Sequence, residues 1–440
     1  MSVERWVISI ISPDEEHRRT VERAISEIKG LVERKAEELG YDIEVRLVGS
    51  VAKDTYLPEP DIDLFMMFPP EVPWKELEKE GLEIGREVLN GEEKYAEHPY
   101  VHGEHRGFRV DLVPCYRLRD ASELKSSVDR TPFHTDFVRA RLKDDQKDQV
   151  RLLKRFMKGV GVYGAEARTE GFSGYLVELL IMRYGDFRSV IEAATEWEAG
   201  ESLRLTEGGK VGFDDPLIFY DPVDPNRNVA SALSRDSFAL FIQACKEYLE
   251  REDERFFFPR ERMAFDIDTI RGEIEERGTS IMIVKFPRPG ITDDNLYPQV
   301  RKTMQGLISL LRNNDFEVLD SAYHVDEGVS FVFELESEAL PRCRRHQGPP
   351  VWISHSERFL EKWRGGALRS PFIENGRWVV MAERECHRAT DLVTEKVDST
   401  SMGSELRGME CGALSTSESL VQGNESILSS LMDKRFNWEV

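Results

Sequence analysis

The sequence has little of what builds disulfide-bonded, fibrous or membrane-spanning proteins. It has 440 residues but only 5 cysteines, an odd number spread along the chain, so a secreted disulfide framework is not expected. Glycine (31) and proline (20) have ordinary frequencies, which excludes a collagen-like chain. No apolar run approaches the roughly 18 residues of a spanning helix, and the short apolar patch at residues 6–11 does not fit a signal peptide. We therefore expect a cytoplasmic protein without a membrane partner.

Basic residues are also scarce for a protein that would bind nucleic acid. The chain has 60 Lys and Arg against 82 Asp and Glu, a net charge of −22. Taken alone, this balance argues against a polyanionic partner, because basic residues dominate phosphate binding. An acidic protein can still have a basic groove, so the local pattern has to decide. The length indicates about three domains, and 40% hydrophobic residues suffice for a packed core.

Periodic apolar residues predict mixed helices and strands in the first half of the chain. A long helix is expected up to residue 39, with Ser12 as its N-cap and Glu15 completing a capping box. The further predicted elements are strands at residues 43–48, 61–68 and around 110–113, and helices at residues 74–89, 146–160 and 172–183. The helix at 146–160 has a basic stripe beside its apolar one, formed by Arg151, Lys154, Arg155 and Lys158.

The pattern changes after about residue 215. The predicted order there is strand, helix, strand, strand, at residues 281–286, 298–311, 316–323 and 329–335. This order is half of a ferredoxin-like unit. The last fifty residues are rich in Ser, Thr and Gly and have weak periodicity.

Three acidic residues lie inside apolar, strand-like segments. Asp61 and Asp63 are two residues apart, so on a strand both point to one face, about 7 Å apart at the Cα atoms. Asp111 lies in another apolar strand and can converge on them if the strands are neighbours. Ionised carboxylates in such strands are costly unless paired or metal-bound, and three of them suit Mg²⁺, which keeps water and phosphate ligands. Two such ions can stabilise the attacking and leaving oxygens of a displacement at phosphorus.

Gly49 and Ser50 supply a matching phosphate contact. Glycine lets the backbone approach a phosphate, the serine hydroxyl and nearby N–H groups donate to it, and Lys53 adds a positive charge. Each feature alone has an ordinary explanation: a strand-ending turn, a pair of solvated acids, and, for Asp111, an ion pair with a nearby arginine. The combination in this order and spacing favours a nucleotide site.

These residues resemble the signature of the nucleotidyltransferase superfamily. Longer segments narrow the resemblance to the archaeal (class I) CCA-adding enzymes, which are tRNA nucleotidyltransferases. The segments are residues 95–103, 110–116, 129–134, 163–166, 171–176, 221–230, 294–298 and 371–378. The resemblance covers about residues 1–385. It implies template-free addition of C, C and A to the 3′ end of tRNA from CTP and ATP, with Mg²⁺.

The resemblance also implies roles for individual residues. Asp61 and Asp63 hold the metal ions, and Asp111 is a third ligand placed to help activate the tRNA 3′-hydroxyl. The residues implied to bind the nucleotide are Gly49, Ser50, Lys53, His134, Lys154, Tyr163 and Arg227. Of these, Lys53 contacts the triphosphate with Ser50, and Arg227 reads the incoming base. Lys53 stands where the family often has arginine, which keeps the charge but loses a bidentate fork.

Without the resemblance, four of these residues would have ordinary interpretations as packing or surface residues. They are His134, Lys154, Tyr163 and Arg227. Their assignment therefore depends on the resemblance and not on spacing.

The expected fold class is α+β. The resemblance implies a mixed-sheet nucleotidyltransferase head at residues 1–142 and a helical, nucleotide-binding neck at 143–215. A C-terminal α/β body and tail at 216–440 would bind tRNA and contain the ferredoxin-like unit, at about 279–336. Candidate tRNA contacts are the basic clusters at residues 301–302, 342–346 and 362–364. A homodimer is the candidate oligomeric state.

Two kinds of alternative stay open at this point. A poly(A) polymerase or a small-molecule nucleotidyltransferase would share the acids but use other substrates. A catalytically inactive tRNA-binding protein belongs to a different class, and its expected mark, loss of one of the three acids, is not found in this sequence. Turnover of CTP on a tRNA that lacks its CCA end separates these alternatives.

Overall fold

The structure is a computed structural model that describes residues 1–95, 98–207 and 212–440. These residues form two compact units. The first consists of residues 1–262, 292–294 and 435–440, and the second of residues 263–291 and 295–434. No helix in the described ranges is long and apolar enough to cross a membrane.

The first unit contains a mixed sheet followed by a helical region. Its strands are β1 (Glu44–Val48), β2 (Asp61–Phe68), β3 (Glu92–Tyr95), β4 (Pro99–His105), β5 (Phe108–Tyr116), β6 (Glu201–Leu203) and β7 (Leu217–Phe219). Its helices are α1 (Val3–Ile11), α2 (Glu15–Glu38), α3 (Gly49–Ala52), α4 (Trp74–Leu89), α5 (Arg130–Arg141), α6 (Asp144–Val160), α7 (Gly174–Tyr184), α8 (Phe187–Ala194) and α9 (Arg235–Glu250).

The first five strands form one sheet in the order β1-β2-β5-β4-β3. β2 and β5 run parallel, and the other neighbours are antiparallel. One face of this sheet is covered by α2 and α4, and the core there includes Ile62 and Leu64 of β2 and Val110 and Leu112 of β5. Because side chains alternate along a strand, the acidic residues between these positions lie on the opposite face.

The start of α2 differs from the prediction. Its N-cap is Asp14, whose carboxylate accepts a hydrogen bond from the His17 N–H at 2.8 Å. Ser12 instead ends α1, and its hydroxyl donates to Asp148 of α6 at 2.8 Å. The predicted capping box of Ser12 and Glu15 is therefore wrong, because α1, which the sequence pattern did not predict, already uses Ser12.

The helical region has an aromatic core. Phe156 of α6 packs against the rings of five other aromatic residues, namely Phe187, Phe241, Tyr248, Phe256 and Phe257. A side chain at Gly159 would overlap the carbonyl oxygen of Phe256, so α6 needs glycine there to approach this segment. The core built on α6 therefore includes α9 and residues 256–257.

The second unit contains a complete ferredoxin-like arrangement. Its elements are α10 (Ile267–Arg277), β8 (Ser280–Pro287), α11 (Asp293–Asn313), β9 (Val318–Val325), β10 (Gly328–Leu335), β11 (Cys343–Pro350), α12 (Ser356–Trp363), β12 (Arg369–Glu374), β13 (Arg377–Glu383), α13 (Ala389–Lys396), β14 (Gly412–Leu414), α14 (Thr416–Ser419) and α15 (Glu425–Met432). One sheet has the order β14-β8-β10-β9. The predicted half corresponds to β8, α11, β9 and β10, and α13 and β14 supply the rest.

A second sheet in this unit, β11-β13-β12, brings two of the basic clusters together. His346 of β11 has its ring 5.5 Å from the ring of Trp363 at the end of α12. The clusters at residues 342–346 and 362–364 are therefore neighbours, whereas residues 301–302 lie on α11.

Candidate active site

Asp63 and Asp111 lie side by side in the first sheet. They are directly paired in the register between the parallel strands β2 and β5. Asp61 lies on the same face, two residues before Asp63, and its Oδ1 is 2.6 Å from Nε of Arg109. His102 lies opposite Asp111 on β4, and its Nδ1 is 2.6 Å from Asp111 Oδ1. The fold therefore brings the three acids to one region of one sheet face.

Burial and mutual repulsion favour protonation of two of these acids. The pKa of Asp63 is raised to about 7, first by burial and then by the negative charges of Asp111 and Asp61. Burial also raises the pKa of Asp111, although the hydrogen bond from His102 opposes this shift. Crowded carboxylates of this kind fit a divalent cation, which would favour their ionised form.

The acids do not form a closed metal cage. Within the described residues, no group of three or more Asp, Glu, His or Cys side chains is arranged to hold a metal ion by itself. Asp61 is paired with Arg109 through Oδ1, so Oδ2 is its oxygen for a metal ion. The donor set therefore suits an ion that takes its remaining ligands from water and substrate phosphates.

Gly49 begins α3 directly after β1 and has a φ of +70°, in the region that favours glycine. A Cβ atom at this position would overlap the carboxylate of Asp63. The sequence predicts that this glycine lets the backbone approach a phosphate, and the structure adds its close approach to a carboxylate. Ser50, the next residue, holds the turn by accepting a hydrogen bond from the Thr55 N–H at 2.9 Å through its carbonyl oxygen.

Two lysines and a buried glutamate lie beside this turn. Lys53 Nζ is 2.6 Å from Glu178 Oε2, and Lys154 Nζ is 3.8 Å from Glu178 Oε1. The Thr55 hydroxyl donates to Glu178 at 2.6 Å, and Lys154 donates to the Thr55 carbonyl oxygen at 3.1 Å. Glu178 is fully buried, and burial lowers the pKa of Lys154 to about 8. Two cations against one carboxylate leave a net positive charge here, which suits a phosphate group.

Arg151 ties the same turn to α6. Its Nε donates to the Tyr56 carbonyl oxygen at 3.0 Å, and its Nη2 donates to the Asp54 carbonyl oxygen at 2.5 Å. Its Nη1 donates to the carboxylate of Asp148 at 2.7 Å. Arg151 is 1% exposed, so this member of the basic stripe serves packing. Each of residues 53–56 is thus bonded to α6 or α7.

Tyr163 lies next to Lys154. Its hydroxyl is 3.0 Å from the position that a Cβ atom would take at Gly174, and Lys154 Nζ is 3.9 Å from the same point. On its other side, Lys158 Nζ lies 5.4 Å from the Tyr163 ring centroid. Burial, followed by the negative charges of Glu178 and other acids, raises the pKa of Tyr163, so its hydroxyl remains protonated and can donate.

A second cluster is centred on Asp221, whose side chain is fully buried. His134 Nε2 is 2.8 Å and Arg227 Nη1 is 3.2 Å from Asp221 Oδ2. The rings of His134 and Tyr175 stack at 4.0 Å. Burial lowers the pKa of His134. Burial would raise the pKa of Asp221, but the contacts with His134 and Arg227 prevail and lower it.

The two clusters share Tyr175. Lys53 Nζ lies 5.9 Å from its ring centroid, while its hydroxyl is 3.4 Å from Asp221 Oδ1. The lysines, which suit a phosphate group, therefore lie next to the aromatic and polar side chains around Asp221, which suit a nucleotide base.

Comparisons with known proteins give matches to related families in successive segments of the chain. Residues 25–134 match the family model for the nucleotidyltransferase domain, 148–258 that for the second domain of tRNA nucleotidyltransferase, and 277–410 that for the C-terminal domain of the CCA-adding enzyme. The CCA-adding enzyme of Methanosarcina barkeri is 40% identical over 91% of this chain and 90% of its own length. The chain belongs to the CCA-adding enzyme family.

Two further relatives with the same name support this assignment. The enzyme of Methanothermobacter thermautotrophicus is 43% identical over 81% of this chain and 80% of its own length. The enzyme of Haloarcula marismortui is 38% identical over 87% of this chain and 86% of its own length.

The predicted activity is confirmed by these relatives. The enzyme adds C, C and A to the 3′ end of tRNA without a nucleic-acid template, from CTP and ATP. The predicted α+β class, with a mixed-sheet nucleotidyltransferase head, is confirmed as well. Enzymes of the nucleotidyltransferase superfamily generally use divalent metal ions.

Sequence reasoning missed four residues that contact the predicted site residues, namely His102, Tyr175, Glu178 and Asp221. Glu178 carried a usable signal, since it is the one acidic residue in the largely apolar helix α7. His102 and Asp221 could be found only from strand pairing and tertiary contact. Two residues of the resembling segment 95–103, Ala96 and Glu97, lie outside the described residues.

Proposed function

We propose that CCA addition takes place where the acidic face of the head sheet meets α6 and α7, with Mg²⁺ as the divalent ion. The observation that carries this proposal is the pairing of Asp63 with Asp111 beside the lysines that converge on Glu178. Asp61, Asp63 and Asp111 would hold Mg²⁺. When bound, the ions would supply charge neutralisation and a lowered pKa for the attacking 3′-hydroxyl.

The triphosphate would lie along the turn after β1. Gly49 and Ser50 line it, and Lys53 and Lys154 supply positive charge from opposite sides of Glu178. Tyr163, next to Lys154, can donate its hydroxyl to a phosphate oxygen. These five residues would orient the triphosphate so that its α-phosphorus faces the acids, which is the positioning that in-line displacement requires.

The base would lie against the cluster around Asp221. His134 and Arg227 both approach one carboxylate oxygen, so Asp221 fixes the directions in which their remaining donors point. Arg227 would then present hydrogen-bond donors to the base edge. His134, stacked on Tyr175, would form one wall of the pocket.

On the attacking side, His102 would position Asp111. Its hydrogen bond to Oδ1 leaves the other carboxylate oxygen for an ion and the 3′-hydroxyl. The chain's own contribution to proton removal is therefore to hold this carboxylate in one orientation.

The domain division stays a proposal, with the head at residues 1–142, the nucleotide-binding neck at 143–215 and the tRNA-binding body and tail at 216–440. The basic clusters at 301–302, 342–346 and 362–364 would contact tRNA phosphates. Binding should then weaken with salt, the more so because the protein as a whole is acidic. Binding of truncated tRNA across a salt series, with charge-neutral variants of each cluster, tests these contacts.

A cytoplasmic location and a homodimer complete the proposal. The five cysteines are free thiols, which a reducing compartment maintains. Sedimentation equilibrium tests the homodimer directly, since a dimer doubles the mass.

The decisive experiment uses tRNA that lacks its CCA end, labelled CTP or ATP, and Mg²⁺, with product lengths read on a gel. Asp111→Asn should abolish incorporation, because it removes the carboxylate that would both bind the metal ion and face the 3′-hydroxyl. Retention of tRNA on a filter should survive. Asp326→Asn, in the tight turn between β9 and β10 of the second unit, is the matched control. Undiminished incorporation by Asp111→Asn contradicts the proposal.

A further inference from the structure

Two residues of the basic stripe on α6 have no role in the proposed nucleotide site. Arg155 and Lys158 face a separate cavity of about 260 Å³ in the first unit. Arg109 lines the same cavity, and Leu57 and Phe258 form apolar walls. The basic side chains of the cavity thus come from both α6 and β5, which are brought together only by folding.

Arg109 is paired with Asp61, whereas the other two cations of the cavity have no such partner among the described residues. Arg155 donates from Nε to the Phe257 carbonyl oxygen at 2.7 Å, and its guanidinium lies 4.5 Å from the Phe258 ring centroid. Lys158 Nζ lies 5.4 Å from the Tyr163 ring centroid. In the described part of the chain, neither has a carboxylate within ion-pair distance, and burial lowers the pKa of both. The opposing charges are Glu59, an exposed residue of the lining, and Asp61, the partner of Arg109.

The cavity adjoins the phosphate side of the site. Lys158 lies against one side of Tyr163, and Lys154 lies near its hydroxyl. Lys154 and Lys158 are one helical turn apart on α6, about 6 Å along the axis. Positive charge therefore continues along α6 from Lys154, a proposed triphosphate contact, to Lys158 at the cavity.

We propose that the cavity lined by Arg109, Arg155 and Lys158 is a subsite for inorganic pyrophosphate, which it receives after each nucleotidyl transfer. This inference rests on the proposed function of the adjoining site. A phosphodiester of the tRNA backbone is the alternative occupant of the cavity, because it carries the same kind of phosphate anion as pyrophosphate. The position beside Tyr163 favours pyrophosphate.

The test compares R155Q/K158Q with the charge-retaining variant R155K/K158R and with the control K246Q, which removes an exposed charge from α9. Inhibition of CMP and AMP incorporation by added pyrophosphate is measured, together with the KM for truncated tRNA. Inhibition should weaken roughly tenfold in R155Q/K158Q, since two charged contacts to the anion are lost. R155K/K158R and K246Q should keep the inhibition of the unmodified enzyme.

Unchanged pyrophosphate inhibition in an active R155Q/K158Q enzyme overturns the inference. A rise confined to the KM for tRNA also overturns it and assigns the cavity to a tRNA phosphodiester. If R155Q/K158Q incorporates no nucleotide, equilibrium dialysis with labelled pyrophosphate and Mg²⁺ replaces the inhibition assay. Weaker pyrophosphate binding than in the unmodified enzyme supports the inference, and unchanged binding overturns it. Failure of the proposed function would show instead as incorporation by Asp111→Asn, a variant that leaves this cavity intact.

Discussion

The carboxylate of Asp63 occupies the space that a side chain at Gly49 would fill. The two residues come from antiparallel neighbours, since Asp63 is paired with Val48, the last residue of β1. The glycine that starts the turn proposed to hold the triphosphate and a proposed metal ligand are thus parts of one packing arrangement. A change at one of them must displace the other.

Gly49→Ala should therefore reduce nucleotide incorporation by about 100-fold or more, because the methyl group displaces the Asp63 carboxylate. The positive φ adds a stability cost of about 1–2 kcal/mol. Gly40→Ala is the matched control, since Gly40 has a φ of +78° and open space at its Cβ position. It should lose similar stability and keep activity. Equal activity in the two variants would show that the Asp63 contact is unimportant.

Without metal, the raised pKa of Asp63 should make the folded enzyme less stable as pH rises. The folded state holds the proton up to about pH 7, whereas the unfolded state releases it near the ordinary value of 3.8. Stability is thus lost between about pH 4 and 7, with little further loss above. Asp63→Asn in EDTA should unfold at higher denaturant than the unmodified enzyme, with a gain that grows over this range to at most about 4 kcal/mol.

Added Mg²⁺ is the control for that experiment. It should stabilise the unmodified enzyme at pH 8 and shrink the advantage of Asp63→Asn, since the ion favours the charged carboxylate. A gain that is constant from pH 4 to 8 would contradict the assigned shift.

Glu178→Gln should destabilise the enzyme by about 3–5 kcal/mol, because it leaves Lys53 and Lys154 buried without their shared carboxylate. The KM for CTP and ATP should rise together as the lysines reorient. Urea unfolding and steady-state kinetics measure the two effects. Glu192→Gln, which removes an exposed pair with Arg188, should cost less than about 0.5 kcal/mol.

Asp221→Asn should raise the KM for both nucleotides, because His134 and Arg227 lose the carboxylate that orients them. It should also lower the pKa of His134 further, since Asp221 opposes the effect of burial. An NMR titration of the histidine checks this second effect. Asp224→Asn, which removes a partner of Arg130 at 3.4 Å, is the nearby control and should leave the pKa of His134 unchanged. A His134 pKa that does not fall in Asp221→Asn would count against the arrangement.

The sequence was most informative where a single element sets the geometry. The bounds predicted for β2 and α4 agree with the structure, because alternating or helical apolar spacing is a local property. The positions of Asp61 and Asp63 on one face follow from the same alternation.

The other parts of the site depend on which strands and helices become neighbours in the folded chain. That Asp111 lies beside Asp63 follows from the choice of β2 and β5 as neighbours, which no local pattern fixes. The basic stripe of α6 was one feature in the sequence, but the fold divides it, burying Arg151 and leaving Lys158 at a cavity. Asp221 lies 87 residues from His134, beyond any spacing argument.

The ties between residues 53–56 and the helices α6 and α7 limit how the enzyme can be rearranged. Arg151 and Glu178 form bonds that are specific to the backbone and side chains of that short segment. The nucleotidyltransferase domain and the second domain are therefore not interchangeable modules. A chimera that combines them from two relatives should work only when both sides of this joint come from the same parent.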